Sequence, residues 1–217
     1  MKTPNTTSRP PAAEPRLLLH ACCGPCSTHC IEVVCGLGYQ PTLYFSNDNL
    51  AHECEYGRRL DALAALAKKA GVPLIVPEYD HSAWLEAVSG LEGEPEGGER
   101  CAVCFRHNLR KAARFAVREG VGVFTSTLSV SPHKRTAMLF EAGHAVEQEV
   151  GGRPQDASAD AGGGAETGAP AWPVRFLECD FKQGGGFLRS VHLAREYGLY
   201  RQSFCGCEFS ERTARLR

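Results

Sequence analysis

The residues best suited to chemistry in this chain are cysteines in three groups. Cys22, Cys23 and Cys26 lie within Ala21-Cys22-Cys23-Gly24-Pro25-Cys26: two adjacent thiols, a Gly-Pro turn, then a third thiol opening a helix. A helix N-terminus favours thiolate through its dipole and its unpaired N–H groups. Cys101 and Cys104 form a Cys-x-x-Cys, whose spacing lets one turn aim both sulfurs inward, as in zinc and iron–sulfur sites. With Cys22 and Cys23 this pair supplies four thiolates. Zinc and a [4Fe–4S] cluster both accept four, so ligand count does not separate them. In the third group, Cys205-Gly206-Cys207, oxidation would close a small strained ring that is readily reduced. That suits a catalytic dithiol; a second metal-ligand pair or an inert surface pair are the alternatives. Cys30, Cys35, Cys54 and Cys179 stand singly inside helix or strand patterns and read as small buried apolar residues.

The background sharpens this reading. Eleven cysteines in 217 residues is an odd number and too few for a disulfide scaffold. No apolar run approaches the roughly 18 residues of a membrane span, and the N-terminal residues lack a signal-peptide layout. We therefore expect a cytoplasmic protein in a reducing compartment, which makes metal or redox chemistry the leading question. The 24 Lys/Arg and 25 Asp/Glu leave a net charge of -1, which excludes a globally basic binder but not a local patch. Residues 100–118 carry six Lys/Arg and no acid. Arg106, Arg110, Arg114 and Arg118 recur every four residues, as a stripe on one helix: either a solvated face or a phosphate track. Tyr197, Tyr200 and Phe204 flank Arg201 and could stack on unpaired bases or serve as core. Lys134, in Ser131-Pro132-His133-Lys134, is placed to meet an anion at a helix start, with a serine-capped turn as the plainer reading. No Gly-x-Gly-x-x-Gly, Walker A or nucleophile elbow is present, so dinucleotide, P-loop and hydrolase readings lack support.

These groups need a frame. Apolar runs at 16–20, 42–46, 72–79, 121–126 and 174–180 predict five strands. Helical patterns fall between them at about 26–37, 52–70, 84–88, 104–119 and 133–147, with a last helix at 187–197. The alternation predicts an α/β fold, an open and mainly parallel five-stranded Rossmann-like sheet with helices on both faces. Sites in such folds lie at carboxyl ends of strands, which here deliver Cys22/Cys23, Ser46–Asn49, Thr127–Ser131 and Asp180. Residues 1–15 are polar and Pro-rich and read as a disordered leader. Residues 150–171, rich in Gly and small polar residues, read as a flexible insertion within a single domain spanning 16–217.

Taken together, the motifs resemble one family, the epoxyqueuosine reductases of the QueH type. The resemblance rests on His20-Ala21-Cys22-Cys23-Gly24-Pro25-Cys26, Glu99-Arg100-Cys101 with Cys104-Phe105-Arg106, and Phe124 through Lys134. It continues through Asp180-Phe181-Lys182, Tyr197-Gly198-Leu199-Tyr200-Arg201-Gln202 and Cys205-Gly206-Cys207. Three features depart from the pattern: Phe45-Ser46-Asn47-Asp48-Asn49 in place of an Asn-Pro-Asn segment, His133 in place of an aromatic residue, and a longer insertion at 150–171. The resemblance implies a fold similar to adenine nucleotide alpha hydrolases. It also implies reduction of the epoxide of epoxyqueuosine, at the wobble position of tRNA with a GUN anticodon, to queuosine. A [4Fe–4S] cluster carries over to Cys22, Cys23, Cys101 and Cys104, and a redox-active disulfide to Cys205 and Cys207. A second, mononuclear metal (iron or zinc) would have Cys26 and Asp180 as candidate ligands. Arg106, Arg110, Arg114, Lys134 and Arg201 become the candidate tRNA contacts, and an unidentified electron donor is implied. Two rival readings are a cluster-dependent tRNA sulfur transferase, which would need an ATP loop that Cys22–Cys26 replaces here, and a non-catalytic zinc-stabilised RNA-binding module. A free-standing thiol–disulfide oxidoreductase is a third, but would not need six motif cysteines.

Overall fold

A computed structural model describes residues 15–151 and 173–210. The expected leader, apart from Pro15, and all but the first two residues of the expected insertion lie outside these. The elements run in the order β1 (Arg16–His20), α1 (Gly24–Gly36), β2 (Gln40–Tyr44), α2 (Glu53–Ala70), β3 (Leu74–Ile75), α3 (His81–Ala87) and α4 (Glu99–Arg118). They continue with β4 (Val123–Ser126), a 3-10 turn (Thr127–Val130), α5 (Thr136–Gly151), β5 (Arg175–Phe176) and α6 (Gly186–Glu196). All strand pairs are parallel, and the sheet order is β3-β2-β1-β4-β5.

The period-two alternation of β1 divides the core between the two faces of the sheet. Leu17 and Leu19 pack with Val34, Leu63 and Leu66 from α1 and α2, while Leu18 packs with Leu109, Ala113 and Leu139 from α4 and α5. Small residues permit close packing at two points. A side chain at Gly24 would run into the Ala62 backbone of α2, and one at Gly143 of α5 would strike the Phe176 ring.

The chain leaves β1 toward β2 on one side and returns after α4 to β4 on the other. The crevice between the carboxyl ends of β1 and β4 is therefore the topological switch point of the sheet. Of the strand ends expected there, those after β1, β2 and β4 border it through Cys22, Asn47, Asn49, Leu128 and Ser131, whereas Asp180 does not.

Several boundaries differ from expectation. The third strand pairs only at Leu74–Ile75, between Pro73 and Pro77, where ring nitrogens cannot donate to the ladder. The fifth strand ends at Phe176 because the following carbonyls leave the ladder for β4-side hydroxyls, Leu177 O to Thr125 at 2.8 Å and Cys179 O to Ser129 at 2.6 Å. Helix α4 starts at Glu99, not Cys104, after the Gly97-Gly98 break, so both thiols of the Cys-x-x-Cys are helical. Helix α5 starts at Thr136, because Ser131 first captures the chain in a turn through its hydroxyl to His133 N (3.3 Å) and its carbonyl to Lys134 N (3.3 Å). Lys134 thus precedes the helix instead of capping its N-terminus. Of the single cysteines, Cys30 is buried as expected, but Cys35 and Cys54 are exposed because they fall on the outward faces of α1 and α2.

Candidate active site

The crevice is floored by polar side chains with defined partners. His20, buried at the end of β1, meets the Ser126 hydroxyl through Nδ1 and the Ser46 carbonyl through Nε2, both at 2.8 Å. Only Nε2–H can donate to a carbonyl, so Nδ1 accepts from Ser126. Burial holds this imidazole below its ordinary pKa, and it is neutral. Thr127 accepts from Cys22 N at 3.2 Å and places its hydroxyl 3.5 Å from the Cys22 sulfur. The first cysteine after β1 is thereby tied to the first residue after β4.

Cys23 is the N-cap residue of α1, and Pro25 sits in the first turn, where a missing N–H costs nothing. The sulfurs of Cys22, Cys23 and Cys26 lie within 4.8 Å of one another, and Cys22 and Cys23 are 3.8 Å apart. Gln202 donates to the Cys23 sulfur at 3.1 Å. The hydrogen bond to Cys23 pushes Cys22 up to about 12, and hydrogen bonds from both neighbours hold Cys23 well below the ordinary thiol range. Cys26 is raised by the same pair. Within the group, the hydrogen bonds favour Cys23 as the sulfur that carries negative charge. This donor set fits a thiophilic metal, which would replace the shared protons.

Cys104 borders the same crevice from α4, and burial pushes its thiol up to about 12. Cys101, one turn earlier, is also raised by burial and accepts from Gly97 N at 3.2 Å. Asn108, a turn beyond Cys104, is buried. It bonds Asn49 Oδ1 at 3.2 Å and accepts Asp48 N at 3.1 Å, which seats α4 on the β2 loop.

Cys205 closes the crevice from the C-terminal segment, with Cys207 buried behind it and the two sulfurs unbridged. Gly206 has φ +111°, and a side chain there would collide with Leu50, so the tight turn between the two sulfurs requires glycine. The Cys207 hydrogen bond and the Lys134 ammonium draw Cys205 down to about 5 against the opposing effect of burial, and Cys207 is raised. Lys134 Nζ is 3.0 Å from the Cys205 sulfur and 3.0 Å from Glu96 Oε1. Together these residues surround a cavity of about 410 Å³, bordered by Cys22, Cys26, Cys104, Lys134, Arg201 and Cys205.

Of the remaining expected residues, Lys134 and Arg201 border the cavity, whereas Asp180, Arg106, Arg110 and Arg114 do not. Asp180 stands outside the three-thiol group; its oxygens meet Lys182 N and Gln183 Nε2, both at 3.4 Å. Arg106, Arg114 and Arg201 are exposed, whereas Arg110 forms a two-pronged pair with Glu149 at 2.6 and 2.8 Å. The Lys134 side chain is only 9 % exposed and its charge is engaged inside the site. Sequence reasoning missed His20, Arg59 and Gln202. Only the polar run Ser46–Asn49 at a strand end hinted at the network around Asn108.

A family model described as "Epoxyqueuosine reductase QueH" matches residues 17–157 and 153–213. Three curated relatives carry the same description. One from Streptococcus pyogenes serotype M1 is 33% identical over 205 residues, covering 92% of this chain and 71% of its own length. One from Haemophilus influenzae is 32% identical over 202 residues, covering 93% and 74%. One from Acinetobacter baylyi is 29% identical over 213 residues, covering 98% and 88%. Matched over nearly its whole length, and with its motif cysteines on or beside one crevice, the chain belongs to the epoxyqueuosine reductase QueH family.

Proposed function

We propose that this chain reduces the epoxide of epoxyqueuosine in tRNA to the alkene of queuosine, releasing water. The observation that carries this reading is a single cavity with a three-thiol group on one wall and, on the other, Cys205, two residues from Cys207 and 3.0 Å from the Lys134 ammonium. Removing the epoxide oxygen needs two electrons and two protons. Oxidation of the Cys205 thiolate and the Cys207 thiol to a disulfide yields both electrons and one proton, and solvent supplies the second: one S–S bond and the alkene π bond form, two C–O bonds break, and the oxygen leaves as water. An external donor then restores the dithiol.

Cys22, Cys23, Cys101 and Cys104 are the proposed ligands of a [4Fe–4S] cluster. Cys22 and Cys104 bordering one cavity supports that set. When bound, such a cluster supplies electrons singly, and a mononuclear iron or zinc on Cys26 would supply Lewis acidity. Asp180 is the carboxylate proposed with Cys26. The protein contributes the rest. His20 braces the strand ends, Thr127 orients Cys22, Gln202 orients Cys23, and Gly206 lets the dithiol close. Exposed Arg106, Arg114 and Arg201 are the proposed tRNA contacts.

The test is iron, zinc and acid-labile sulfide per chain in protein purified without oxygen, followed by turnover of epoxyqueuosine-containing tRNA by wild type and Cys205→Ser. About four irons and four sulfides are expected, and Cys205→Ser should keep the metal but lose turnover. One zinc with no sulfide would make the thiols a structural site, and full activity in Cys205→Ser would end the role of the dithiol.

A further inference from the structure

Lys134 is an ammonium placed where solvent barely reaches it, with a side chain 9 % exposed. A buried cation is costly unless it is paired. Its partners are Glu96 Oε1 and the Cys205 sulfur, each at 3.0 Å. A neutral thiol is a weak acceptor, whereas a thiolate is a full counter-charge. The loop that carries Lys134 is fastened on both sides. Lys182 Nζ donates to the Lys134 carbonyl at 2.9 Å, and Arg135 reaches the Gly97 carbonyl at 3.5 Å. The opposite partner is equally fixed, because Arg59 Nη1 holds the Cys205 carbonyl at 2.9 Å. The 3.0 Å approach is thus set by three separately anchored segments.

We propose that Lys134 is a positioning residue that holds Cys205 as the thiolate of the Cys205/Cys207 pair. This rests on the reading of that pair as redox-active. The charged and titratable groups facing Cys205 are Lys134 and Glu96 from the two loops, Cys207 in its own segment, and Cys101 and Cys104 from α4, with Arg59 of α2 on its carbonyl. Of these side chains only Lys134 places a cation at the sulfur, at 3.0 Å, and together with the Cys207 hydrogen bond it opposes the burial that favours the neutral thiol. Cys205, the sulfur beside the ammonium, is therefore the one that reacts first, and Cys207 is the one that resolves. Lys134, named from sequence as a tRNA contact, acts instead on the protein's own nucleophile.

The experiment is the rate of iodoacetamide labelling at Cys205 in reduced, metal-loaded protein between about pH 6 and 8, resolved by mass spectrometry. Alkylation follows the thiolate fraction. Wild type should stay within about twofold across that range, because the thiolate is already formed. Lys134→Gln and Lys134→Met should slow labelling at the acid end by about tenfold or more and rise with pH by up to about tenfold per unit. Lys134→Arg should restore the flat profile, and Glu96→Gln should leave it flat, because removing an anion does not protonate Cys205. A flat profile in Lys134→Gln and Lys134→Met overturns the proposal. So does an equal slope in Glu96→Gln, which would mean the loops merely pack. Labelling involves no tRNA, so either outcome stands apart from whether the enzyme turns over epoxyqueuosine.

Discussion

Arg59 reaches from α2 to the Cys205 segment, with Nη1 2.9 Å from the Cys205 carbonyl oxygen. Its second terminal nitrogen bonds Phe204 O at 3.1 Å, and its Nε bonds Glu55 at 2.7 Å. Glu55 also accepts from Tyr200 at 2.7 Å. One buried ion pair thus holds residues 200–205 against the body of the protein. Arg59→Met should destabilise by about 3 kcal/mol, toward the low end for a broken buried pair, because Arg58 still serves Glu55. It should also speed proteolysis within 200–207. Thermal melts and limited proteolysis check this, and unchanged values in both would refute the tether.

A second prediction concerns Asp48, whose burial would raise its pKa but whose bonds to His107 and Lys111 outweigh that and lower it. Its oxygens lie 2.7 and 2.9 Å from Lys111 Nζ and 2.9 Å from His107 Nε2. The folded pKa is below the unfolded value of about 3.9. Its contribution is therefore fully present above about pH 5 and is lost as pH falls through the folded value. Asp48→Asn should cost about 3–5 kcal/mol at neutral pH and should flatten the loss of stability in acid. Urea melts from about pH 3 to 7 measure both, and parallel wild-type and variant curves would rule the account out.

The basic surface gives a third prediction. Arg106, Arg114 and Arg201 are exposed, and Arg110 is already matched by Glu149. Neutralising the first three together should weaken tRNA binding and reduce the salt slope by about 0.7–0.9 for each phosphate that is no longer neutralised. Arg110→Gln alone should change it much less. Binding isotherms at several salt concentrations decide the matter, and an unaltered slope in the triple variant would remove these residues from the interface.

Some of this was written locally in the chain. The period of the apolar residues places five strands between helices, and the order of the elements selects an open parallel sheet. Cys22, Cys23, Cys101, Cys104, Cys205 and Cys207 stand out by spacing alone, because thiols two or three apart on turns have few other uses. Helix starts were less legible. Whether Glu99 or Cys104 opens α4, and whether His133 or Thr136 opens α5, depends on local turns that compete with the helix for the same N–H groups. Burial of single cysteines was legible for Cys30 but not for Cys35 or Cys54, since the face a helix turns inward is decided by its neighbours.

Cys26 lies with Cys22 and Cys23, its partners in the sequence motif, because α1 begins at Gly24 and carries it round one turn toward them. Only the tertiary structure decided what the third cysteine group meets. Lys134 meets Cys205 across 71 residues of sequence because the loop after β4 and the C-terminal segment arrive at the same switch point. Spacing within a motif is a local property that backbone geometry dictates, so it can be read from sequence. The partner of a buried charge is set by which distant segments the sheet order brings to one edge, and no local pattern carries that information.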